Sequence, residues 1–362
     1  MRRGPARLSD ASGSSGVVPG ARPRSRVVPW TDGDTWQAFV DSAADGTIAH
    51  LWAWREVVRE TYGHRTEYLA AVDGAVVRGV LPLVVVRSRL FGRHVISMPY
   101  LDYGGVCSGH DDDVDAVLVD AALALADEEG AVLQLRHRGR RPLDLPVSLE
   151  KATMLLQLET DEDSMWRRLP SKRRGQIRKG QRHGLVAAVE GTEGITDFYG
   201  VLSHNMRDLG SPLHPIRFFD SIIRHLGDRA RVLLVRREGV AVGAGLLILD
   251  RDIVSVPWSS SLRSEFSLAP NQVLYWEAMR YGIARGARTF DFGRSSVGSG
   301  TYVAKREWGA EPLELHWHHA PADRSPPEDD VRRMAWATRM WRRLPVRVAN
   351  LVGPRIRGGI VN

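Results

Sequence analysis

Cysteine is nearly absent from this chain. Cys107 is the single cysteine among 362 residues, which excludes an intramolecular disulfide framework and a cysteine-rich metal site and is typical of a reducing compartment. Because no histidine stands in a recognisable partner motif, we interpret Cys107 as a small buried residue rather than a nucleophile. The histidines show no metal-ligand spacing either, since alternating strand positions explain His316, His318 and His319. We therefore expect no metal.

Long apolar runs are also absent. No stretch approaches the roughly 20 apolar residues of a membrane span, and residues 1–26 have no apolar core between their arginines, unlike a secretory signal. These residues are rich in arginine, glycine, serine and proline and show no periodicity, which predicts a disordered leader. We expect a cytoplasmic protein.

Positive charge, in contrast, is present in excess. The formal net charge is +7, with arginine far outnumbering lysine, and this balance favours anionic partners such as phosphates, nucleic acid or an acidic membrane surface. An arginine-rich background from GC-biased coding explains the composition equally well. With 43% apolar residues, the chain can bury substantial cores, and its length predicts two domains.

One series of predicted elements occurs twice. The first copy has a hairpin around Asp73-Gly74, a strand at 94–98, a helix at 112–129 and a strand at 131–136. The second has a hairpin around Glu238-Gly239, a strand at 253–257, a loop at 258–268, a helix at 270–284 and a strand at 289–292. The copies share an order of elements and no evident sequence identity. The repeat predicts an α/β (α+β) fold built from two units, each a mixed twisted sheet flanked by helices.

Further elements surround the two copies. Helical spacing predicts helices at 34–43, 47–62 and 161–169, the last capped by Thr160 or Asp161, and a strand is predicted at 152–158. The resulting division is a leader at 1–26, a first domain at 27–150, a second domain at 151–325 and a basic helical tail at 326–362.

The stretch 289–309 is the strongest candidate for a functional loop. A short strand runs into glycines at 293, 298 and 300, which let the chain fold tightly and approach a ligand. Asp291, Arg294, Tyr302 and Lys305 can then face one another. The residues alone favour a plainer interpretation, in which Asp291 and Arg294 form a salt bridge within a turn and Lys305 is solvated.

A second candidate is Asp102-Tyr103-Gly104-Gly105, which follows the third strand of the first copy. Ligands commonly bind at the carboxyl ends of strands in α/β sheets. A tight turn explains the same residues.

Two basic segments complete the set. The segment 167–183 suits a polyphosphate ligand, with Arg173 and Arg174 as the candidate contacts, although a solvated linker helix accounts for it equally well. Residues 331–357 hold eight arginines and no acidic residue, interleaved with Trp336, Met340 and Leu344. Such a basic amphipathic helix can lie on an anionic membrane surface. Packing across the second domain is the more usual fate of such a tail.

Four stretches together resemble the Fem-type transferases, proteins with two tandem GNAT-like acyltransferase domains. These stretches are Tyr103-Gly104-Gly105 and residues 170–185, 271–286 and 291–308. Within that group, the chain is similar to a Fem-related branch found with exopolysaccharide and exosortase (PEP-CTERM) gene sets. The residues that carry this similarity are Phe292-Gly293-Arg294-Ser295, then Gly298, Gly300, Tyr302 and Lys305, then Trp308 to Pro312, and the tail 344–354. The resemblance covers residues 27–357.

The resemblance implies transfer of an acyl or aminoacyl group to an amine of a cell-envelope precursor, either peptidoglycan or an exopolysaccharide. Acyl-CoA and aminoacyl-tRNA both stay open as donors. The segment 263–271 lacks the glycine pattern with which ordinary GNAT enzymes bind the CoA pyrophosphate. The long helical arm that tRNA-dependent Fem proteins often carry between their halves is absent too.

The chemistry of the side chains predicts roles for the candidate residues in such a reaction. Lys305 and Arg294 would stabilise the reacting carbonyl or a donor phosphate, Asp291 and Tyr302 would position the amine, and Arg173 and Arg174 would contact an anionic substrate. The resemblance implies that Asp102, Tyr103 and Gly104 lie on the acceptor side. The expected partners are therefore a small-molecule or a lipid- or nucleotide-linked glycan, tRNA, and a membrane surface at the inner face of the membrane, contacted by the tail.

Two other functions remain open from the sequence. One is an acyl-CoA-dependent N-acetyltransferase acting on an amino sugar or an amino acid. The other is a non-catalytic RNA- or polysaccharide-binding protein that uses the basic segments, although no RNP, KH or helix-turn-helix pattern occurs.

Overall fold

A computed structural model of the chain describes residues 25–321 and 337–361. Most of the predicted leader, and Trp336 of the predicted tail, lie outside these residues. None of the described helices is long and apolar enough to cross a membrane.

The first half contains six strands and three α-helices within the described residues. In chain order these are β1 (Arg26–Pro29), α1 (Gly33–Ser42), α2 (Ala53–Tyr62), β2 (Arg65–Asp73), β3 (Val76–Ser88), β4 (Gly92–Ser97), α3 (Asp112–Glu128), β5 (Val132–Arg138) and β6 (Val147–Ser148). A single 3₁₀ turn, Ile48–His50, precedes α2.

The second half begins at β7 (Lys151–Gln157). It continues with α4 (Glu162–Arg168), α5 (Ser171–Arg182), β8 (Leu185–Glu190), α6 (Ile195–Leu209), α7 (Ile216–Leu226), β9 (Ala230–Arg237), β10 (Val240–Asp250), β11 (Ile253–Ser261), α8 (Pro270–Ala284), β12 (Thr289–Ser296), α9 (Gly300–Arg306) and β13 (Glu311–Ala320). After residue 336 come a short helix α10 (337–341) and α11 (Val346–Arg357).

The repeated order of elements is confirmed. Each copy has an antiparallel hairpin, β2–β3 in the first and β9–β10 in the second. Each hairpin is followed by an antiparallel third strand and then, after a helix, by a fourth strand parallel to the third: β4 with β5, and β11 with β12. Together with the helices on its faces, this gives the expected α/β fold of two similar units.

The two units share one mixed sheet. Its order is β1-β2-β3-β4-β5-β13-β7-β12-β11-β10-β9-β8, with β6 beside β13. The last strand, β13, pairs antiparallel with β5 of the first half and with β7 of the second. The chain therefore returns from the second half to complete the sheet of the first.

Alternation along the strands divides the core into three clusters of buried side chains. One face of the first half packs on α3, and the corresponding face of the second half packs on α5 and α8. The opposite face carries one cluster that continues through both halves, covered by α1, α2, α6 and α7. This shared cluster joins the halves by apolar packing as well as by strand pairing.

Several predicted boundaries are wrong. The helix predicted at 47–62 is interrupted after the 3₁₀ turn, and α2 begins only at Ala53. The strand predicted at 253–257 continues to Ser261, because β10 pairs with it along its whole length. The strand predicted at 289–292 continues to Ser296, where β7 provides the partner. The strand β8 and the helices α6 and α7 had no prediction.

Other local predictions are confirmed. The Asp161 carboxylate accepts a hydrogen bond of 2.8 Å from the backbone N–H of Ser164, which caps α4. The basic segment after Pro170 is helical and forms α5. His316 and His318 lie on one face of β13, and His319 lies on the other.

Candidate active site

The sheet opens at two corresponding places, where parallel neighbours separate. β4 and β5 pair only as far as Ile96 and Gln134, and β11 and β12 only as far as Ser255 and Asp291. We call these openings the first splay and the second splay. Each one lies at the carboxyl ends of two parallel strands, where such sheets commonly bind ligands.

The first splay is filled by the chain itself. The backbone N–H of Gly104 donates a 3.0 Å hydrogen bond to the carbonyl of Arg136, and the N–H of Arg136 donates to the Ser97 hydroxyl at 2.8 Å. Gly104 has a φ of +142°, and a Cβ there would lie 2.9 Å from the Met98 side chain. Only glycine fits both the backbone conformation and the space, so this residue allows the segment after β4 to close the first splay.

The second splay contains a small pocket lined by both halves. Its enclosed volume of about 20 Å³ is enough for one water molecule. The lining residues are Ile48, Ala49, Leu101, Asp102 and Tyr103 from the first half and Ser255, Pro257, Asp291 and Gly293 from the second. The segment that closes the first splay thus also forms one wall of the second.

Asp291 is the buried carboxylate of this pocket, only 2% exposed. One carboxylate oxygen accepts hydrogen bonds from the Thr153 hydroxyl at 2.6 Å and from the Gly293 N–H at 2.8 Å, and the other accepts from the Tyr103 hydroxyl at 2.9 Å. Burial raises the pKa of Asp291, and these hydrogen bonds oppose that rise. The carboxylate is therefore fixed in orientation, with its pKa moved toward the range of a general base.

Asp102 pairs with Arg294 across the two halves. Its carboxylate accepts a 3.0 Å hydrogen bond from the Arg294 backbone N–H and lies 3.4 Å from the Arg294 Nε. The indole of Trp317 contacts two guanidinium groups, with ring-centroid distances of 5.0 Å to that of Arg294 and 4.2 Å to that of Arg136. The alternative of a turn salt bridge between Asp291 and Arg294 is wrong, because Arg294 pairs with Asp102.

Lys305 lies on α9, the helix that follows β12. Its ammonium donates hydrogen bonds to the carbonyls of Gly293 at 2.9 Å and Arg294 at 3.0 Å. Burial lowers the pKa of Lys305 to about 8. The alternative of a solvated lysine is therefore wrong, and one N–H of the ammonium remains beyond these two bonds.

Tyr302 is one turn away from Lys305 on the same helix. Its ring packs against the core cluster of the second half, and its hydroxyl has no hydrogen-bond partner among the described residues. The stretch between Phe292 and Trp308 was predicted as a loop, but the end of β12 and the helix α9 make up most of it. Of its four candidates, Arg294 and Lys305 are in contact, through the Arg294 carbonyl, and Asp291 is joined to them through Gly293.

The two arginines predicted to contact an anion differ in their surroundings. Arg173 is 4% exposed; it donates to the Ala304 carbonyl at 3.1 Å, forms an ion pair with Glu307 and stacks 5.3 Å from the Trp308 ring. This arginine therefore ties α5 to α9. Arg174 is half-buried and has no ion-pair partner among the described residues.

Three residues at the site had no prediction from sequence. Thr153 on β7 and Trp317 on β13 come from strands that have no motif, and Ser255 on β11 stands in an apolar strand pattern. Only the pairing of β7 and β13 with the middle of the sheet reveals them. No group of three or more metal-ligating side chains occurs in the described ranges.

Comparison with known proteins agrees with this architecture. Residues 171–306, from α5 to α9, match the family model described as acetyltransferase (GNAT) domain. This range includes Asp291, Arg294 and Lys305. No curated protein sequence matches the chain significantly.

Solved structures resemble the chain over most of its length. FemX superposes with a TM-score of 0.61 at 15% identity, covering 81% of this chain and 96% of that one. The C-terminal domain of a putative lysylphosphatidylglycerol synthetase from Agrobacterium fabrum has a TM-score of 0.52 at 10% identity, covering 84% and 94%. A tandem GNAT protein from the clavulanic acid biosynthesis pathway has 0.51 at 12% identity, covering 83% and 99%. The chain therefore has a tandem GNAT-like fold, with residues 171–306 matching the GNAT domain itself.

Proposed function

We propose that this protein is an acyltransferase that transfers an acyl or aminoacyl group to an amine at the second splay. The observation that supports this most directly is a fixed, buried carboxylate, Asp291, in a pocket at the end of parallel strands within the matched GNAT range. The corresponding part of the first splay is occupied by the backbone of Gly104, which donates to the Arg136 carbonyl.

The donor has an edge of sheet to bind along. From Val256 to Ser261, β11 pairs only with β10, so its β12 side has no strand partner within the described chain. Unpaired backbone N–H and C=O groups bind extended ligands by adding to the ladder. We assign this edge to the extended part of the donor, with the reactive carbonyl directed toward the pocket.

The chemical step needs a base and a stabilised oxyanion. The amine must lose a proton before it attacks the donor carbonyl. Asp291 uses three of about four lone-pair positions in the structure, which leaves one to orient or deprotonate the amine. Formation of the C–N bond then expels the thiolate of CoA or the ribose hydroxyl of tRNA, and the proton passes to that leaving group.

The cations beside the pocket suit the developing negative charge. Lys305 retains one N–H after its two backbone bonds, and Arg294 holds its guanidinium beside Asp102. One donor aimed at the oxyanion contributes about 3 kcal/mol to catalysis. We therefore keep Lys305 and Arg294 as the residues that face the reacting carbonyl, with Tyr302 as a further donor to the amine.

Both donor classes are anionic, and we place the anionic part of either at the start of α8. This helix begins at Pro270, which has no N–H. The N–H groups of Gln272 and Val273 donate to the Ala269 carbonyl, so the N–H of Asn271 is the one in the first turn that we assign to a phosphate. Gly180 of α5 packs against Leu268 and Val273 there, where a Cβ would lie 2.6 Å from the Val273 side chain. The basic helix α5, with Arg174 on it, thus flanks the α8 N-terminus. The choice between acyl-CoA and aminoacyl-tRNA belongs to experiment.

For the acceptor we propose an amine on a cell-envelope precursor. Two similar structures bear names from envelope chemistry, FemX and a putative lysylphosphatidylglycerol synthetase. Asp102 and Tyr103 line the pocket from the half outside the GNAT range, and we assign them, together with the adjoining Gly104, to the acceptor side. The motif at 292–312 favours an exopolysaccharide-associated role within this class.

A donor screen tests the proposal. The protein is incubated with acetyl-CoA, longer acyl-CoAs or charged tRNA together with nucleotide-linked amino sugars and peptidoglycan precursors, and acyl product is followed by mass spectrometry. A CoA donor releases free thiol during the reaction. With a tRNA donor, RNase treatment of the donor before the reaction prevents product formation. Asp250→Asn serves as the control for Asp291→Asn, because Asp250 is also buried in the second half but lies at the β10–β11 turn. Failure of every donor to stabilise the fold or to yield product would exclude the transferase.

A further inference from the structure

The end of the chain presents a basic surface that the proposed chemistry does not use. We define the C-terminal basic face by the exposed arginines of 337–361, namely Arg339, Arg342, Arg343, Arg347 and Arg355. No acidic residue occurs between 331 and 357. Among the described residues these arginines form no salt bridge with an acidic side chain.

Apolar side chains are exposed within the same face. Leu351 is 68% exposed, and Met340 and Val348 are about 40% exposed. On α11, Arg347, Leu351 and Arg355 follow one another at a spacing of four, so they share one side of the helix, with Val348 beside them. Large apolar side chains surrounded by arginines on a solvent-facing helix lack the apolar partner that buried ones have.

The opposite side of α11 is packed, which holds this face outward. Ala349 and Gly353 are buried, and a Cβ on Gly353 would lie 3.3 Å from the backbone of Leu213. Arg342 also donates a 3.4 Å hydrogen bond to the carbonyl of Leu209. The residue Leu209 is 48% exposed. Leu209 at the end of α6 therefore extends the apolar part of the same surface.

The nearest acidic side chain on α6 is already paired. Asp208 accepts a 2.7 Å hydrogen bond from Arg207, whose guanidinium also donates to the Leu344 carbonyl. The charge of Asp208 is thus compensated locally. The C-terminal basic face remains strongly positive.

The chain beyond α11 then contacts the site region. The Gly358 carbonyl accepts a 2.7 Å hydrogen bond from the Tyr100 hydroxyl, and the Val361 carbonyl accepts one from Arg136. Arg136 stacks on Trp317, which stacks on Arg294 of the second splay. The tail is therefore fixed to both halves and linked to the candidate site.

We propose that the C-terminal basic face docks on an anionic membrane surface. Arginines near such a surface attract its lipid headgroups, and the exposed leucine, valine and methionine side chains enter the boundary between headgroups and acyl chains. An RNA backbone would satisfy the arginines but would leave these apolar side chains in water. Their presence on the same side of α11 favours the membrane.

Vesicle cosedimentation of the full chain without substrate tests the proposal. We expect the protein to sediment with vesicles of phosphatidylcholine and phosphatidylglycerol, to remain in solution with phosphatidylcholine alone, and to be released by salt. Arg347→Glu with Arg355→Glu lowers the partition coefficient at least about tenfold. Leu351→Ser with Val348→Ser lowers it by about fivefold without changing the charge.

Arg89→Glu with Arg288→Glu is the matched control. Both arginines are exposed and without an ion-pair partner among the described residues, so the net charge changes equally at positions outside 337–361. We expect this variant to sediment as the wild type does, and thermal melts establish that all variants fold. Equal loss in the control, no sedimentation of the wild type, or binding to tRNA but not to vesicles would overturn the proposal. Because no substrate is present, such a result leaves the transferase test unaffected.

Discussion

The first and second splays differ although their strands are arranged alike. In the first, Gly104 brings the backbone against Arg136 and closes the gap between β4 and β5. In the second, β11 runs on to Ser261 without a partner on its β12 side, and a pocket with a buried carboxylate remains. Gly104 therefore fills the closed copy, whereas Gly293 of the open copy, which also has a positive φ, lines the pocket and leaves it open.

The first half, whose splay is closed, still contributes residues to the candidate site. The segment that closes the first splay places Tyr103 and Asp102 in the wall of the second, where they contact Asp291 and Arg294. The comparison indicates a division of labour between the two halves. One half provides the reacting splay, and the other provides the wall that shapes it.

The largest expected effect is at the carboxylate of the open splay. Asp291→Asn removes the base and should lower kcat by about 10²–10⁴-fold, because general-base catalysis contributes that much. Steady-state kinetics with the identified donor measure it. Asp250→Asn removes a buried carboxylate of the same half and should leave kcat within about threefold of the wild type. An equal loss in both variants would mean that Asp291 serves the fold alone.

A smaller loss is expected at the neighbouring cation. Lys305→Ala removes the ammonium held on the carbonyls of Gly293 and Arg294 and should lower kcat by about 10²–10³-fold. Lys172→Ala is the control, since this lysine on α5 is largely exposed and, among the described residues, pairs with Glu307 alone. An unchanged kcat in Lys305→Ala would remove Lys305 from the reaction.

The closed splay can be broken at its glycine. Gly104→Ala adds a Cβ 2.9 Å from the Met98 side chain at a φ of +142° and should lower the free energy of unfolding by about 2–4 kcal/mol. Gly74→Ala places alanine at a positive φ of +61° with no atom within 4 Å, so it should cost only about 1 kcal/mol. Chemical denaturation measures both. Similar values for the two variants would contradict the close packing of Gly104.

The two neighbouring arginines of α5 should differ in effect: one should stabilise the fold, and the other should bind the donor. Arg173→Ala removes the buried link to Glu307 and the Ala304 carbonyl and should lower the free energy of unfolding by about 1–3 kcal/mol. Arg174→Ala should change it by less than about 0.5 kcal/mol and should instead raise KM for the anionic donor. The reverse pattern in denaturation and kinetics would assign the anion contact to Arg173.

The pH dependence isolates the charge of Lys305 from its packing. Lys305 is protonated below its pKa of about 8, so a cationic role predicts that kcat/KM falls as pH rises through that value, by about tenfold per unit. Lys305→Arg keeps the charge and should abolish the fall. The raised pKa of Asp291 predicts a rising limb above the ordinary range of a carboxyl group. A wild-type profile that stays flat from neutral to alkaline pH would exclude Lys305 as the cation.

The sequence predicted the order of elements well because hydrophobic periodicity and turn residues are local signals. Asp73-Gly74 and Glu238-Gly239 do form the hairpin turns, and Pro270 does begin α8. The ends of β11 and β12 were missed because their last residues are stabilised by partners far away in the chain, β10 and β7.

The same distinction holds at the site. Asp291, Arg294 and Lys305 lie within one stretch of sequence, so a motif could reveal them. The bond between Tyr103 and Asp291 spans 188 positions, and the donors and rings from Thr153 and Trp317 depend on how β7 and β13 enter the sheet. The difference between Arg173 and Arg174 is likewise one of burial, and neighbouring arginines in a basic helix do not show it in sequence.

The central claim is that the open splay receives the donor and the closed one does not. Hydrogen–deuterium exchange of the backbone amides, with and without a saturating donor, tests it most directly. We predict slower exchange in 256–261 on the unpaired side of β11 and at the start of α8, and unchanged exchange in β5. Slower exchange confined to β4 and β5 would contradict the account. So would unchanged exchange throughout the protein with a donor that the enzyme turns over.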